Sequence, residues 1–114
     1  MSGINYKKLE FEFGEDWDIF RELISDYKEA SVTFLEQIKA AITSKELESL
    51  RISAHTLKGI VVNFYCEELT QTAFELEQCG KSGDLASAPA HYDKLVILNS
   101  NILAEIIEYD KKRV

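Results

Sequence analysis

The sequence predicts an all-α protein, an up-down antiparallel four-helix bundle with a short additional helix at its N-terminus. Three observations predict it. Apolar residues recur at threes and fours almost from end to end. No run of alternating apolar and polar residues bounded by turn residues occurs. The single proline and five glycines leave long segments uninterrupted, and connections this short force neighbouring helices antiparallel.

The elements follow in order. A short amphipathic segment runs from about Tyr6 to Phe13 and meets Gly14. A long one covers about Asp16 to Ile42, with Glu15, Asp16 and Asp18 at the end where the helix dipole favours acids. Its core face is Phe20, Leu23, Tyr27, Ala30, Phe34, Ile38 and Ala41; Trp17 and Ile19 are expected in the core, the alternative being that they extend an apolar docking patch. Thr43 followed by Glu46 reads as a capping box that starts a third helix, spanning about 44–65, with Leu47, Leu50, Ala54, Leu57, Val61 and Phe64 as its seam. A fourth helix from about Glu67 to Cys79 buries Leu69, Ala73 and Leu76 and ends in the loop Gly80-Lys81-Ser82-Gly83-Asp84. The last helix opens near Leu85 to Pro89, where a first-turn proline is tolerated, and carries Tyr92, Leu95, Asn99, Ile102, Ile106 and Tyr109. Asn99 on that seam reads as a buried polar residue fixing register, and Lys111, Lys112 and Arg113 as a solvated, dipole-compatible terminus.

Composition narrows the function classes. With 114 residues, 46% of them hydrophobic and 29% charged, the chain forms one domain over 1–114 and buries a single core without staples. A net charge of −7 argues against nucleic acid and anionic membranes as partners. The N-terminal twenty residues lack the basic start and apolar run of a signal peptide, and no apolar stretch approaches the ~18 residues of a membrane span. Cys66 and Cys79 are too far apart for a CxxC and read as two reduced thiols of a cytoplasmic protein. The start at Met1 and the compact length favour a free-standing protein, and a monomer is expected.

One window stands apart. No acid occurs from Ser49 to Cys66, where even spreading of 20 acids over 114 residues would put about three. Within it Arg51, His55, Lys58 and Gly59 share one helix face, at −4, +3 and +4 from the histidine, and form an expected electropositive patch. His55 lies one position off the Ala54–Leu57 seam, so its ring emerges beside the core. Gly59 one turn on costs about 1 kcal/mol of helix propensity relative to alanine, which close approach of another molecule would justify. Such a site suits attack by neutral imidazole on a phosphoryl group, with Arg51 and Lys58 disfavouring the imidazolium and neutralising phosphoryl oxygens. The plain structural reading is a solvated surface histidine and a glycine that lets helices pack closely.

The residues Ala54-His55-Thr56-Leu57-Lys58-Gly59, then Asn63-Phe64 and Leu69, then Leu76-Glu77 leading to Gly80-Lys81-Ser82-Gly83-Asp84-Leu85, resemble the histidine phosphotransfer (HPt) domain of bacterial multistep phosphorelays. The resemblance covers nearly the whole chain, and the family has the predicted bundle architecture. It implies that His55 accepts a phosphoryl group from one receiver-domain aspartate and passes it to another, with Lys58 in electrostatic support and Gly59 providing access. Two residues depart from the family pattern. Ile60 stands where a small residue is usual and would enlarge an apolar docking patch with Ile52 and Val62. Tyr65 stands where a glycine usually ends the histidine-bearing helix, and tyrosine resists the left-handed cap.

The partners implied are receiver domains of response regulators or hybrid sensor kinases. No cofactor is implied for this chain, and Mg2+ is expected on the receiver. A second reading is an adaptor of the same shape that sequesters receivers without turning phosphate over. A bundle metal site would need Glu-x-x-His, but Ile52 and Ala88 precede His55 and His91 by three. A kinase active on ATP would need a GxxxxGK[ST] or kinase-type glycine-rich loop, which the sequence lacks. His91 reads as a surface or capping residue.

Overall fold

A computed structural model describes residues 3–113. Its helices are α1 (Tyr6–Phe13), α2 (Trp17–Ser44), α3 (Leu47–Val61), α4 (Glu67–Ser82) and α5 (Ala88–Lys112), with a single 3-10 turn, Val62–Phe64, after α3. Both α2 and α4 pack on α3 and on α5, which closes the four long helices into a ring, and α1 lies against α2. Met1, on which the expectation of a free-standing chain rests, is outside the described residues.

Helix lengths explain the place of α1. At 1.5 Å per residue the 28 residues of α2 rise about 42 Å, most of the 45 Å long axis of the molecule. The 15 and 16 residues of α3 and α4 give only about 24 Å each, so the far ends of α2 and α5 extend past them. There α1 supplies the missing cover. At its start the Asn5 N–H donates to the Tyr65 carbonyl at 2.9 Å. At its end Arg113 of the C-terminus meets Glu10 at 3.0 Å, donates to the Gly14 carbonyl at 2.8 Å and lies 4.0 Å from the Trp17 ring centre. The terminus expected to be solvated is therefore, at Arg113, a clamp that ties α5 to α1 and α2.

The predicted seams form the core. Phe20, Tyr27, Ile38, Leu50, Leu57, Val61, Phe64, Leu69, Leu76, Leu95 and Ile106 are fully buried. Phe64 packs edge-on against Phe20 and tilted against Tyr27, at ring separations of 5.5 and 4.7 Å. The Tyr27 hydroxyl donates to buried Asn99, as the register reading of Asn99 requires, and burial pushes the phenol pKa up. Trp17 is buried, but Ile19 is exposed and Leu47 sits at the edge of its seam.

Three local readings need correction. Thr43 does not cap α3: its hydroxyl donates back to the Lys39 carbonyl at 3.0 Å inside α2. α2 stops two residues later at Lys45, whose φ of 58° is left-handed. The Lys45 and Glu46 N–H groups then donate to the Ile42 and Ala41 carbonyls at 3.3 and 2.9 Å, a paired closure that fills the orphan acceptors of α2. Gly80 is not in a loop. α4 runs through it to Ser82, and Gly83, at φ 81°, takes the left-handed cap. Finally, Tyr65 does adopt the cap that its side chain resists, at φ 52°. The N-terminal strap holds it there, through the Asn5 bond, an Ile4–Cys66 backbone bridge, and Lys8 lying 5.3 Å over the Tyr65 ring.

Candidate functional site

The acid-free face of α3 is where the chemistry gathers. Leu50, Ala54, Leu57 and Val61 anchor α3 in the core, so the opposite face turns out with His55, whose side chain is 62% exposed. Gly59 lies one turn further on. A Cβ built there meets nothing within 4 Å, so packing between helices does not require this glycine. Close packing is met at Gly80 instead, where a Cβ would sit 2.6 Å from the Arg51 backbone nitrogen. α3 and α4 thus touch backbone to backbone one turn above His55.

That close approach carries Glu77 to the histidine. Glu77 sits one turn before Gly80 on α4, with only 8% of its side chain exposed. One carboxylate oxygen is 3.0 Å from His55 Nδ1, and the other is 2.7 Å from Lys58 Nζ. Burial raises the Glu77 pKa, but the hydrogen bonds and charges of Lys58 and His55 outweigh it and leave the carboxyl below its usual value. Glu77 is then ionised at neutral pH and can only accept. In the neutral imidazole the Nδ1 must therefore donate, which leaves the lone pair on Nε2.

The electropositive patch expected from the sequence is not what forms. Lys58 is paired with Glu77, and Arg51 is paired with Glu48 at 2.5 Å. Lys58 also lies 5.2 Å over the ring of Phe74, one turn before Glu77 on α4. Around the imidazole the structure sets a balanced cluster of two cations and two carboxylates. Of the apolar docking candidates, Ile52 and Val62 are about half exposed, in line with His55 at −3 and +7. Ile60 packs partly against the core, and exposed Phe74 is the large apolar side chain on α4 nearest Lys58 that the sequence reading passed over. His91 lies half-buried in the first turn of α5.

Glu77 was legible as part of the resemblance but not as a partner of His55. The available signal was an acid four residues after Ala73 and beside Leu76, a charged group close to a core seam.

The site is thus an exposed helical histidine backed by a buried carboxylate, in a four-helix bundle. The sequence matches the Hpt domain family over residues 22–108, and the chain belongs to that family, the phosphohistidine carriers of two-component phosphorelays. Its fold is similar to the crystal structure of histidine-containing phosphotransfer protein B (HptB) from Pseudomonas aeruginosa PAO1. The TM-score is 0.87 at 21% identity, covering 98% of this chain and 96% of that one. No curated protein matches the chain in sequence. Among the described residues no helix is long and apolar enough to cross a membrane.

Proposed function

We propose that the chain relays a phosphoryl group from the aspartate of one receiver domain to that of another through Nε2 of His55. The observation that carries this reading is the tie between His55 Nδ1 and Glu77, which directs the lone pair to Nε2 on an exposed ring. In the first step Nε2 attacks the phosphorus of an aspartyl phosphate. The N–P bond forms, the P–O bond to the aspartate breaks, and the carboxylate leaves with the electron pair. The ring then carries a positive charge beside Glu77, and the Nδ1 proton never has to leave. In the second step an aspartate of the next receiver attacks phosphorus, the P–N bond breaks, and Nε2 regains its lone pair.

Lys58, within reach of the same carboxylate, supplies positive charge to the phosphoryl oxygens, and open space at Gly59 admits the receiver's active-site loop. Ile52 and Val62 give that loop apolar contact on either side of the histidine. The divalent cation belongs to the receiver. In this reading the domain acts as a monomer, has no autokinase activity and works in a reducing compartment, the cytoplasm, with Cys66 and Cys79 as free, buried thiols.

The test is to incubate the chain with a phosphorylated receiver and follow acid-labile, alkali-stable label. His55→Gln should fold normally and take up none. Label retained by that variant would move the site elsewhere, with His91 next to examine. Receiver binding without label on the unaltered chain would instead make it a sequestering adaptor.

A further inference from the structure

Phe74 has no evident reason to be aromatic on packing grounds. It is 36% exposed and lies outside the buried core, on a helix whose inward face is already filled by Leu69, Ala73 and Leu76. Its ring does have a defined neighbour, the ammonium of Lys58 at 5.2 Å from the centroid, inside the range of a cation–π contact. The same ammonium is 2.7 Å from Glu77, and Lys58 is only 26% exposed, less than half as exposed as His55. Lysine side chains are flexible and lose rotamer freedom when fixed. Here two residues one turn apart on α4 grip one lysine reaching over from α3.

The two grips differ in kind. Glu77 neutralises the charge of Lys58 and also holds His55, so its carboxylate competes with any phosphoryl group for the ammonium. A ring face attracts a cation without cancelling its charge. It therefore keeps the ammonium beside the imidazole while leaving it able to turn to phosphoryl oxygens. We propose that Phe74 is a positioning residue for phosphotransfer, holding Lys58 within reach of the phosphoryl group on His55. This rests on the His55 reading above and adds a residue to it. The step itself is unchanged in atoms and electrons: Phe74 touches neither phosphorus nor imidazole and acts through Lys58 alone.

Phosphoramidate is the probe, because a donor this small has no surface to dock. Nε2 attacks its phosphorus, the P–N bond of the donor breaks, and ammonia leaves. Phe74→Leu should slow labelling of the chain about two- to fivefold, the range an exposed cation–π contact supports, and Phe74→Tyr should restore it. In a Lys58→Met background the Phe74→Leu change should have no further effect. Separately, the ring current of Phe74 should shift the Lys58 ε-methylene protons upfield in NMR spectra of the unphosphorylated chain. Phe74→Leu should abolish that shift and Phe74→Tyr should keep it. Unchanged labelling by phosphoramidate in Phe74→Leu, with slower transfer from a receiver, would overturn the proposal and make Phe74 a docking residue. Equal slowing with and without Lys58 would overturn it too. Failure of the unaltered chain to label at His55 would count against the phosphotransfer reading, and the NMR shift would still decide whether Phe74 holds Lys58.

Discussion

The two helical glycines beside the site should respond in opposite directions to the same substitution. At Gly80 a Cβ would lie 2.6 Å from the Arg51 nitrogen and 2.8 Å from its Cα and Cβ, where ordinary contact needs about 3.5 Å or more. Two of those three atoms are backbone, so rotating a side chain cannot relieve the clash, and α3 and α4 must separate by about 1 Å. Overpacking of this severity costs about 3 kcal/mol, offset by about 1 kcal/mol of helix propensity gained over glycine. The net loss for Gly80→Ala is about 2 kcal/mol, and for a domain of this size a fall in Tm of about 8 °C. The same separation pulls Glu77, one turn away, from His55 and Lys58, so phosphotransfer should fall along with stability. Gly59→Ala meets open space and keeps only the propensity gain, up to about 1 kcal/mol, or a rise of about 4 °C. Thermal melts followed by far-UV circular dichroism give both values. A Gly80→Ala protein that melts at or above the parent temperature, or a Gly59→Ala protein that melts below it, would refute the assignment of close helix approach to one glycine and open access to the other.

Other outcomes follow from the local structure. Lys45 holds a left-handed φ of 58° at the end of α2, a conformation that costs a side chain about 1–2 kcal/mol, part of which the greater freedom of unfolded glycine takes back. Lys45→Gly should therefore stabilise the domain by about 0.5–1 kcal/mol in urea unfolding, and an unchanged midpoint would contradict the strain. Glu10 is held below its ordinary value of 4.5 by its bonds to Arg113 and Tyr109. A carboxyl with a depressed folded pKa adds stability above its unfolded pKa and loses it as pH falls through the folded value. Glu10→Gln should accordingly be less stable than the parent at pH 7, and the gap should close as pH falls through the folded value in parallel urea titrations. A constant gap at all pH values would show that the clamp works through packing alone.

What the sequence determined by itself is what a single helix can determine. The 3.6-residue period sorts each segment into an inward and an outward face whatever it packs against, so the all-α class, the seams and the outward place of His55 were legible. So was Asn99 as a buried polar residue, because its place on the α5 seam is a local fact. The end of α4 was legible only to within a turn: the loop read as starting at Gly80 starts at Gly83, because Gly80 is kept helical by its close approach to α3.

The tertiary structure decided whatever depends on the distance between helices. Local spacing makes the face of Arg51, His55 and Lys58 free of acids, yet Glu77 arrives from another helix, 22 residues further along the chain from His55, because α3 and α4 approach to backbone contact at Gly80. The charge balance of the site is therefore set by a neighbour that no window around His55 contains. Tyr65 adopts a left-handed turn against its own preference because Asn5 and Ile4 hold the backbone there from the N-terminus. Arg113 looked like a solvated end because nothing within its own helix needs it, and its partners, Glu10, Gly14 and Trp17, lie about a hundred residues away in sequence. Periodicity is a property of one helix, whereas an ion pair, a strained turn held in place and a close glycine contact are properties of two segments at a given separation, and that separation exists only once the bundle has packed.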